Sequence, residues 1–120
     1  MKILLCDDSM TVRKKMSDQI KSVMDCDIIE AKNGQIAVDA YLALHPQLVF
    51  MDIMMPVKDG LTALREIVEH DPKANVIMLS SIGTKDNLQL ALKAGAVDFI
   101  QKPFDTEKLA ALLNTYNREV

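Results

Sequence analysis

The chain has no tryptophan, and only three phenylalanines and two tyrosines occur among its 120 residues. It therefore lacks the aromatic side chains on which nucleic-acid bases or a flavin ring would stack. Two cysteines, Cys6 and Cys26, are too few for a disulfide framework or a cysteine-built zinc site. These shortages argue against disulfide-bonded scaffolds, zinc-ribbon proteins and base- or flavin-stacking proteins.

Long apolar runs and an excess of positive charge are absent as well. No run approaches the roughly 18 apolar residues of a membrane-spanning helix. Fourteen Lys and Arg against seventeen Asp and Glu leave a net charge of −3, whereas a dedicated nucleic-acid binder carries a basic surplus. Asp7 and Asp8 come too early for a secretory signal peptide. We therefore expect a cytoplasmic protein that neither binds nucleic acid nor inserts into a membrane.

The chain does contain apolar runs that alternate with segments of helical period. The apolar runs are 3–6, 28–31, 48–51, 76–79 and 97–100. In the segment after each run, apolar residues recur at helical spacing. This alternation predicts an α/β fold with a parallel sheet. Several of the runs are apolar throughout, which suits strands that are buried on both faces. The pattern fills the chain, so we expect one domain over residues 1–120.

Capping residues predict where the helices begin and end. Ser9, Asn33, Thr84 and Asp105 are residue types that favour a helix N-cap. Gly95 follows the fourth helical segment and is typical of the residue that terminates a helix.

Polar residues of interest follow the first, third, fourth and fifth apolar runs. In an open parallel sheet, ligands bind outside the carboxyl ends of the strands. The residues at those ends are Asp7, Asp8 and Ser9 after the first run, Asp52 after the third, Ser80 and Ser81 after the fourth, and Lys102 after the fifth. Each of them alone is typical of a turn or a cap, but their coincidence at one edge favours a functional site.

Three carboxylates at one edge need a compensating charge. Two like charges about 4 Å apart repel by about 1 kcal/mol in water and by about 4 kcal/mol at an effective dielectric of 20. The ligands available are oxygens, which favour a hard cation, and a small set with open water positions suits Mg²⁺. A cation beside a lysine and a hydroxyl is suited to a transferring phosphoryl group. One of the carboxylates could be the nucleophile.

The motifs that carry these residues resemble those of two-component response regulator receiver domains. They are residues 3–9, 33–34, 51–56 with Asp59 and Gly60, 79–81 and 94–104. The similarity runs from end to end of the chain and is greatest to the single-domain chemotaxis type. It implies a flavodoxin-like, doubly wound sheet of five parallel strands in the order 2-1-3-4-5.

The resemblance implies a Mg²⁺-dependent phosphoacceptor. Asp52 would accept the phosphoryl group. Asp8 and Asp52 would ligate Mg²⁺ through their side chains, the backbone carbonyl of Met54 would add a third ligand, and Asp7 would act mainly through a bound water.

It also implies roles for the residues around the acceptor. Lys102 would pair with Asp52 before transfer and with the phosphoryl group afterwards, and a cis peptide would join Lys102 to Pro103. Ser80 would bind a phosphoryl oxygen and move on modification. Phe99 occupies the position of an aromatic switch.

Two further positions would tune hydrolysis of the acyl phosphate. Met54 and Ile82 flank the acceptor in such a site, and both are apolar. Because neither can orient a hydrolytic water, we expect slow self-dephosphorylation.

The function that the resemblance implies is signalling, not enzymatic turnover. The donor would be a phosphohistidine on a histidine kinase or a histidine phosphotransfer protein. The output would be binding of a downstream target to the surface of the fourth helix, fifth strand and fifth helix, with chemotaxis or motility favoured as the pathway. The alternatives are a phosphorelay shuttle and a phosphatase or phosphotransferase with an aspartyl nucleophile.

The first helical segment carries four basic residues, Arg13, Lys14, Lys15 and Lys21. One interpretation is a solvated helix face. The other is a docking surface for an acidic, histidine-containing partner.

Overall fold

The computed structural model describes residues 1–81 and 85–116, and of Lys85 it describes only the backbone. Strands and helices alternate along these residues. In chain order the elements are β1 (Lys2–Cys6), α1 (Met10–Val23), β2 (Asp27–Ala31), α2 (Gly34–Leu44), β3 (Leu48–Asp52), α3 (Gly60–His70), β4 (Val76–Ser80), α4 (Lys85–Ala94), β5 (Asp98–Gln101) and α5 (Thr106–Tyr116). Among these helices, none combines the length and the apolar character that a bilayer crossing requires.

The five strands form one parallel sheet in the order β2-β1-β3-β4-β5, which confirms the predicted fold class. The three inner strands are buried over almost their whole length, as their uniformly apolar runs predict. The edge strands β2 and β5 are partly exposed and include the polar residues Glu30 and Asp98. Burial on both faces therefore holds for the inner strands alone.

Helices cover both faces of the sheet and enclose two apolar cores. Successive side chains of a strand point to opposite faces. In β1, Leu4 and Cys6 belong to the core beneath α2, α3 and α4, and Ile3 and Leu5 to the core beneath α1 and α5. Burial raises the pKa of the Cys6 thiol, which fits a packing role.

Side-chain caps mark the starts of the helices. Ser9, Asn33 and Asp105 accept hydrogen bonds from the backbone N–H three residues further on, at 3.2, 2.9 and 2.9 Å, as predicted. Asp59 caps α3 in the same way at 2.7 Å, although its role as a cap was not predicted. The predicted cap Thr84 lies outside the described residues.

The connection from α4 to β5 turns at Gly95, as predicted. Gly95 has a φ of 121°, which other residues rarely adopt. The N–H of Ala96 donates to the carbonyl of Ala91 at 3.0 Å and closes the end of the helix. The N–H of Val97 then donates to the carbonyl of Val76 at 2.9 Å, and β5 begins one residue later than the apolar run.

Candidate functional site

The carboxyl ends of β1 and β3 lie side by side and bring three carboxylates together. Cys6 of β1 pairs with Met51 of β3 in the ladder. Asp7 and Asp52 are the residues that follow this pair, so they are neighbours. Carboxylate oxygens of Asp7, Asp8 and Asp52 lie within 4.8 Å of one another. Asp7 and Asp52 are buried whereas Asp8 is exposed, so the cluster is open to solvent on one side.

Lys102, immediately after β5, lies against this cluster. Its Nζ donates to Oδ2 of Asp7 at 3.0 Å and to Oδ2 of Asp52 at 3.2 Å. Its backbone N–H donates to the carbonyl of Ser80 at 2.7 Å, which continues the pairing of β4 with β5. The peptide bond to Pro103 is cis, as the resemblance implied. The expected pairing of Lys102 with Asp52 is thus present, and Asp7 shares the same ammonium group.

Within the part of the chain that the structure describes, a single ammonium group, that of Lys102, contacts the cluster of three carboxylates. Burial raises the pKa of Asp52 and the charge of Asp7 raises it further, while Lys102 and the backbone N–H of Met54 oppose the rise. Burial lowers the pKa of Lys102, but its hydrogen bonds and charge interactions with the two carboxylates outweigh burial and raise that pKa overall. Lys102 therefore stays charged, whereas ionisation of Asp52 is penalised.

The donor set fits a hard divalent cation. The three carboxylates offer oxygen atoms, which Mg²⁺ prefers, and the exposure of Asp8 leaves room for the waters that Mg²⁺ retains. A bound divalent charge would also relieve the repulsion among the acids. Asp7, Asp8 and Asp52 are therefore the residues that could hold Mg²⁺.

Of the two serines after the fourth apolar run, Ser80 is the better candidate. Leu79 of β4 pairs with Asp52 of β3, so Ser80 ends its strand beside the strand that carries Asp52. Ser80 is 4% exposed, whereas Ser81 is exposed. This burial favours Ser80 as the hydroxyl that serves the site.

The remaining predicted positions lie in different surroundings. Met54 is 60% exposed, and its backbone N–H helps to lower the pKa of Asp52, an effect that was not predicted. Phe99 lies on β5, is 44% exposed, and borders a shallow cavity lined also by Lys108 and Leu112 of α5. Ile82 lies outside the described residues.

Two glycines allow the loop after Asp52 to pack closely. A Cβ on Gly60 would collide with the backbone carbonyl of Asp52, and a Cβ on Gly34 would collide with that of Lys58. The N–H of Gly60 donates to the carbonyl of Ile53 at 2.8 Å, and that of Gly34 to Lys58 at 3.0 Å. Each glycine directly follows a cap residue, a signal in the sequence that could have indicated this packing.

A second set of residues near the site was not predicted from the sequence. Arg13 donates from Nη1 to the backbone carbonyl of Asp7 at 2.6 Å and from Nε to Oε1 of Glu30 at 2.9 Å. Its side chain is only 13% exposed, so Arg13 does not belong to a solvated basic face. Lys14, Lys15 and Lys21 are exposed.

Comparisons with known proteins agree with this geometry. The response regulator receiver domain family matches residues 3–114. Chemotaxis protein CheY of Bacillus subtilis (strain 168) is 40% identical over 114 residues, which cover 94% of this chain and 94% of that protein.

Solved structures show the same fold. A response regulator receiver domain protein from Clostridium thermocellum matches with a TM-score of 0.90 and 27% identity, over 96% of this chain and 92% of that one. A chain of the CheX–CheY–BeF3–Mg complex from Borrelia burgdorferi matches with a TM-score of 0.88 and 31% identity, over 99% and 90%. Family match, strand order and acidic sheet edge agree, and the chain belongs to the response regulator receiver domain family.

Proposed function

We propose that this receiver domain accepts a phosphoryl group on Asp52 from a phosphohistidine of a histidine kinase or a histidine phosphotransfer protein. The observation that carries the proposal is the Lys102 ammonium group, 3.0 Å from Asp7 and 3.2 Å from Asp52 within the carboxylate cluster. The arrangement offers a nucleophilic carboxylate, a cation fixed beside it and oxygen ligands for a divalent metal. These are the requirements of phosphoryl transfer to a carboxylate.

In the transfer step, a carboxylate oxygen of Asp52 forms a bond to phosphorus. The bond from phosphorus to the donor's imidazole nitrogen breaks, and its electron pair remains on the imidazole. Asp7, Asp8 and Asp52, with the backbone carbonyl of Met54, would hold Mg²⁺, which supplies charge neutralisation for the phosphoryl oxygens. The residues contribute position and charge, and the donor supplies the activated phosphoryl group.

After transfer, two residues stabilise the modified carboxylate. Lys102 already contacts both Asp7 and Asp52, so it can keep Asp7 and turn its remaining donors to the phosphoryl group. The hydroxyl of Ser80, buried at the end of β4, donates to another phosphoryl oxygen. Hydrogen bonds to charged acceptors are about twice as strong as neutral ones.

These contacts bias the surface of α4, β5 and α5 toward a target-binding state. To move a two-state equilibrium from 1:99 to 99:1 takes about 5.5 kcal/mol of differential stabilisation. Movement of Ser80 and reorientation of the half-exposed Phe99 would couple the phosphoryl group to that surface. The output is then a binding event at a target protein.

Chemotaxis or motility is the favoured pathway for this domain. The support is its similarity to chemotaxis protein CheY of Bacillus subtilis and to a chain of the CheX–CheY–BeF3–Mg complex. We propose a single receiver domain over residues 1–120 that works in the cytoplasm as a signalling protein and not as a turnover enzyme. It would catalyse its own phosphorylation and slow self-dephosphorylation.

Incubation with acetyl phosphate and Mg²⁺, followed by intact mass spectrometry, tests the acceptor. The wild type should gain one phosphoryl group and Asp52→Asn should gain none. The control is Asp39→Asn, which removes an exposed carboxylate of α2 that accepts from Gln35, and it should be labelled like the wild type. Equal labelling of Asp52→Asn would refute the assignment.

The lifetime of the phosphorylated state tests the role of Met54. An amide at this exposed position can orient an attacking water, which the thioether cannot. Met54→Asn should therefore speed phosphate release about tenfold, the equivalent of roughly 1.4 kcal/mol of barrier. An unchanged or slower release rate would show that Met54 does not limit hydrolysis.

A further inference from the structure

The two adjacent acids after β1 present a geometric problem. Successive side chains of an extended strand point to opposite sides, yet carboxylate oxygens of Asp7 and Asp8 lie within 4.8 Å of each other. The chain bends at Asp8, and this bend allows both acids to face one point. Some group must hold the bend, because the repulsion between two carboxylates opposes it.

Several contacts hold this acidic turn, which we define as residues 7–9, and three of them act on Asp7 and involve a backbone group of the turn. The N–H of Asp7 donates to the carbonyl of Ala31 at 3.1 Å and continues the ladder with β2. The N–H of Ser9 donates to Oδ1 of Asp7 at 2.9 Å. The carbonyl of Asp7 accepts from Nη1 of Arg13 at 2.6 Å.

The contact with Arg13 acts on the link between the two acids. The carbonyl of Asp7 and the N–H of Asp8 belong to one planar peptide unit. A donor that fixes the carbonyl oxygen therefore fixes the plane, and with it the direction in which Asp8 leaves the turn. Arg13 is attached to α1, which the core anchors through Met16 and Ile20, so the donor has a rigid base.

Glu30 in turn directs the guanidinium group. Its Oε1 accepts from Nε of Arg13 at 2.9 Å, so one edge of the planar fork is held by β2 while Nη1 reaches Asp7. Glu30 is opposite Leu5 in the β1–β2 ladder, two residues before Asp7. The turn, α1 and β2 are thus linked through one side chain.

We propose that Arg13, directed by Glu30, is a positioning residue that holds the Asp7–Asp8 peptide and thereby sets the affinity of the acidic turn for Mg²⁺. The inference rests on the proposed Mg²⁺ site. Groups that orient metal ligands from behind commonly change metal affinity 10- to 100-fold when they are removed.

A positioning role and a purely electrostatic role of Arg13 predict changes of opposite sign in Mg²⁺ affinity when Arg13 is removed, which makes the role testable. As a bare positive charge near the acids, Arg13 would repel a cation, and its removal would strengthen Mg²⁺ binding. As a positioning residue it favours the cation, and its removal weakens binding. The sign of the change therefore distinguishes the two effects.

The experiment is calorimetric titration of the full chain with Mg²⁺ alone, for the wild type and for variants. Arg13→Met should weaken binding about tenfold. Arg13→Lys should weaken it to a similar extent, because one ammonium group cannot reproduce the two-sided contact. The control is Lys14→Met, which removes the same charge from an exposed neighbour, and it should leave affinity unchanged or slightly higher.

Coupling through Glu30 is tested by a double-mutant cycle. Glu30→Ala should weaken Mg²⁺ binding several-fold, and Arg13→Met combined with Glu30→Ala should be no weaker than Arg13→Met alone. Because Glu30 is half-exposed, we expect Glu30→Ala to fold. This variant can therefore test the proposal even if Arg13→Met does not fold. Additive losses would contradict the direction of Arg13 by Glu30.

Thermal unfolding in EDTA separates positioning from general stability. Variants of Arg13 that unfold at a lower temperature but bind Mg²⁺ like the wild type would overturn the proposal.

Asp8→Asn distinguishes failure of the proposed Mg²⁺ site from failure of the positioning role of Arg13. If it abolishes Mg²⁺ binding while Arg13→Met does not weaken it, only the positioning role fails. If the wild type binds no Mg²⁺, both the proposed site and the positioning role are wrong.

Discussion

The two faces of the sheet and its carboxyl edge are built on opposite principles. The faces bury side chains that are almost all apolar, in two cores covered by helices. Among the described residues, the buried polar or charged ones are Asp7, Asp52 and Ser80, and all three lie at the carboxyl ends of inner strands. The faces provide the stability of the domain, and the concentration of charge at the edge lowers that stability.

The faces and the edge differ because apolar and charged side chains need different surroundings when they are buried. An apolar side chain in a core gains about 25 cal/mol for each Å² removed from water and needs no specific partner. A buried carboxylate needs hydrogen bonds and a counter-charge. Asp7 and Asp52 share one ammonium group, so the edge is incompletely compensated and is the region where a ligand has most to contribute.

The largest effect should come from a truncation in a face. Phe50 of β3 is fully buried in the core beneath α1 and α5. Phe50→Ala should lower the free energy of unfolding by about 3–5 kcal/mol in urea denaturation. Leu44→Ala, at a side chain that is 42% exposed, is the control and should cost less than about 1 kcal/mol. Equal costs would show that the core does not carry the stability.

Binding of Mg²⁺ to the carboxylates at the edge should raise the free energy of unfolding. At free Mg²⁺ about one hundredfold above its dissociation constant, the wild type should gain about 2.7 kcal/mol in the free energy of unfolding. Asp8→Asn removes the exposed carboxylate of the cluster and should lose most of this gain. Asp39→Asn should keep it. A gain of the same size in Asp8→Asn would place Mg²⁺ elsewhere.

Neutralising Asp52 should stabilise the metal-free domain. The pKa of Asp52 is raised by its burial and by Asp7, so the folded state resists its ionisation. The resulting penalty is absent below the unfolded pKa of about 4 and grows as the pH rises through the folded pKa. In EDTA at neutral pH, Asp52→Asn should therefore be more stable by about 1 kcal/mol.

The pH dependence checks that prediction. The advantage of Asp52→Asn should shrink as the pH falls toward 4, measured by urea denaturation across the pH range. Asp39→Asn lies outside the cluster and should show no such advantage at neutral pH. An advantage that is constant with pH would mean that relief of charge is not its cause.

The smallest expected effect concerns the loop that leaves the edge. Val57 has a φ of 68° and is 82% exposed, so a β-branched residue adopts a left-handed conformation without burial in return. Asn tolerates that conformation better, so Val57→Asn should raise the free energy of unfolding by about 0.5–1 kcal/mol. Val97→Asn, at an exposed valine with ordinary φ, should bring no gain.

Much of the contrast between faces and edge was predictable from the sequence. Uniform apolar runs predicted the inner strands, and the acids after them were expected to meet because parallel strands share a carboxyl edge. The strand order came from the resemblance of the motifs, since apolar periodicity does not specify which strands pair. Partial exposure of β2 and β5 follows from their positions at the sheet edges.

The role of Arg13 was not predictable in the same way. A basic residue near the start of a helix has the same local pattern whether it faces solvent or a backbone carbonyl. Its partner Glu30 is 17 residues away in β2. The sequences of β1 and β2 do not specify the register in which these two strands pair. Asp59 was overlooked as a cap for a different reason, because it was read only as part of a motif.

The sequence by itself determined the alternation of strands and helices, the apolar character of the inner strands, and the identity of the acids at the strand ends. These properties depend on local periodicity and on the type of residue after each run. Tertiary structure alone decided that Lys102 would contact Asp7 as well as Asp52, and that Arg13 would turn inward onto the acidic turn. Distances between side chains on separate elements depend on register and helix placement, and those are set only when the whole sheet packs.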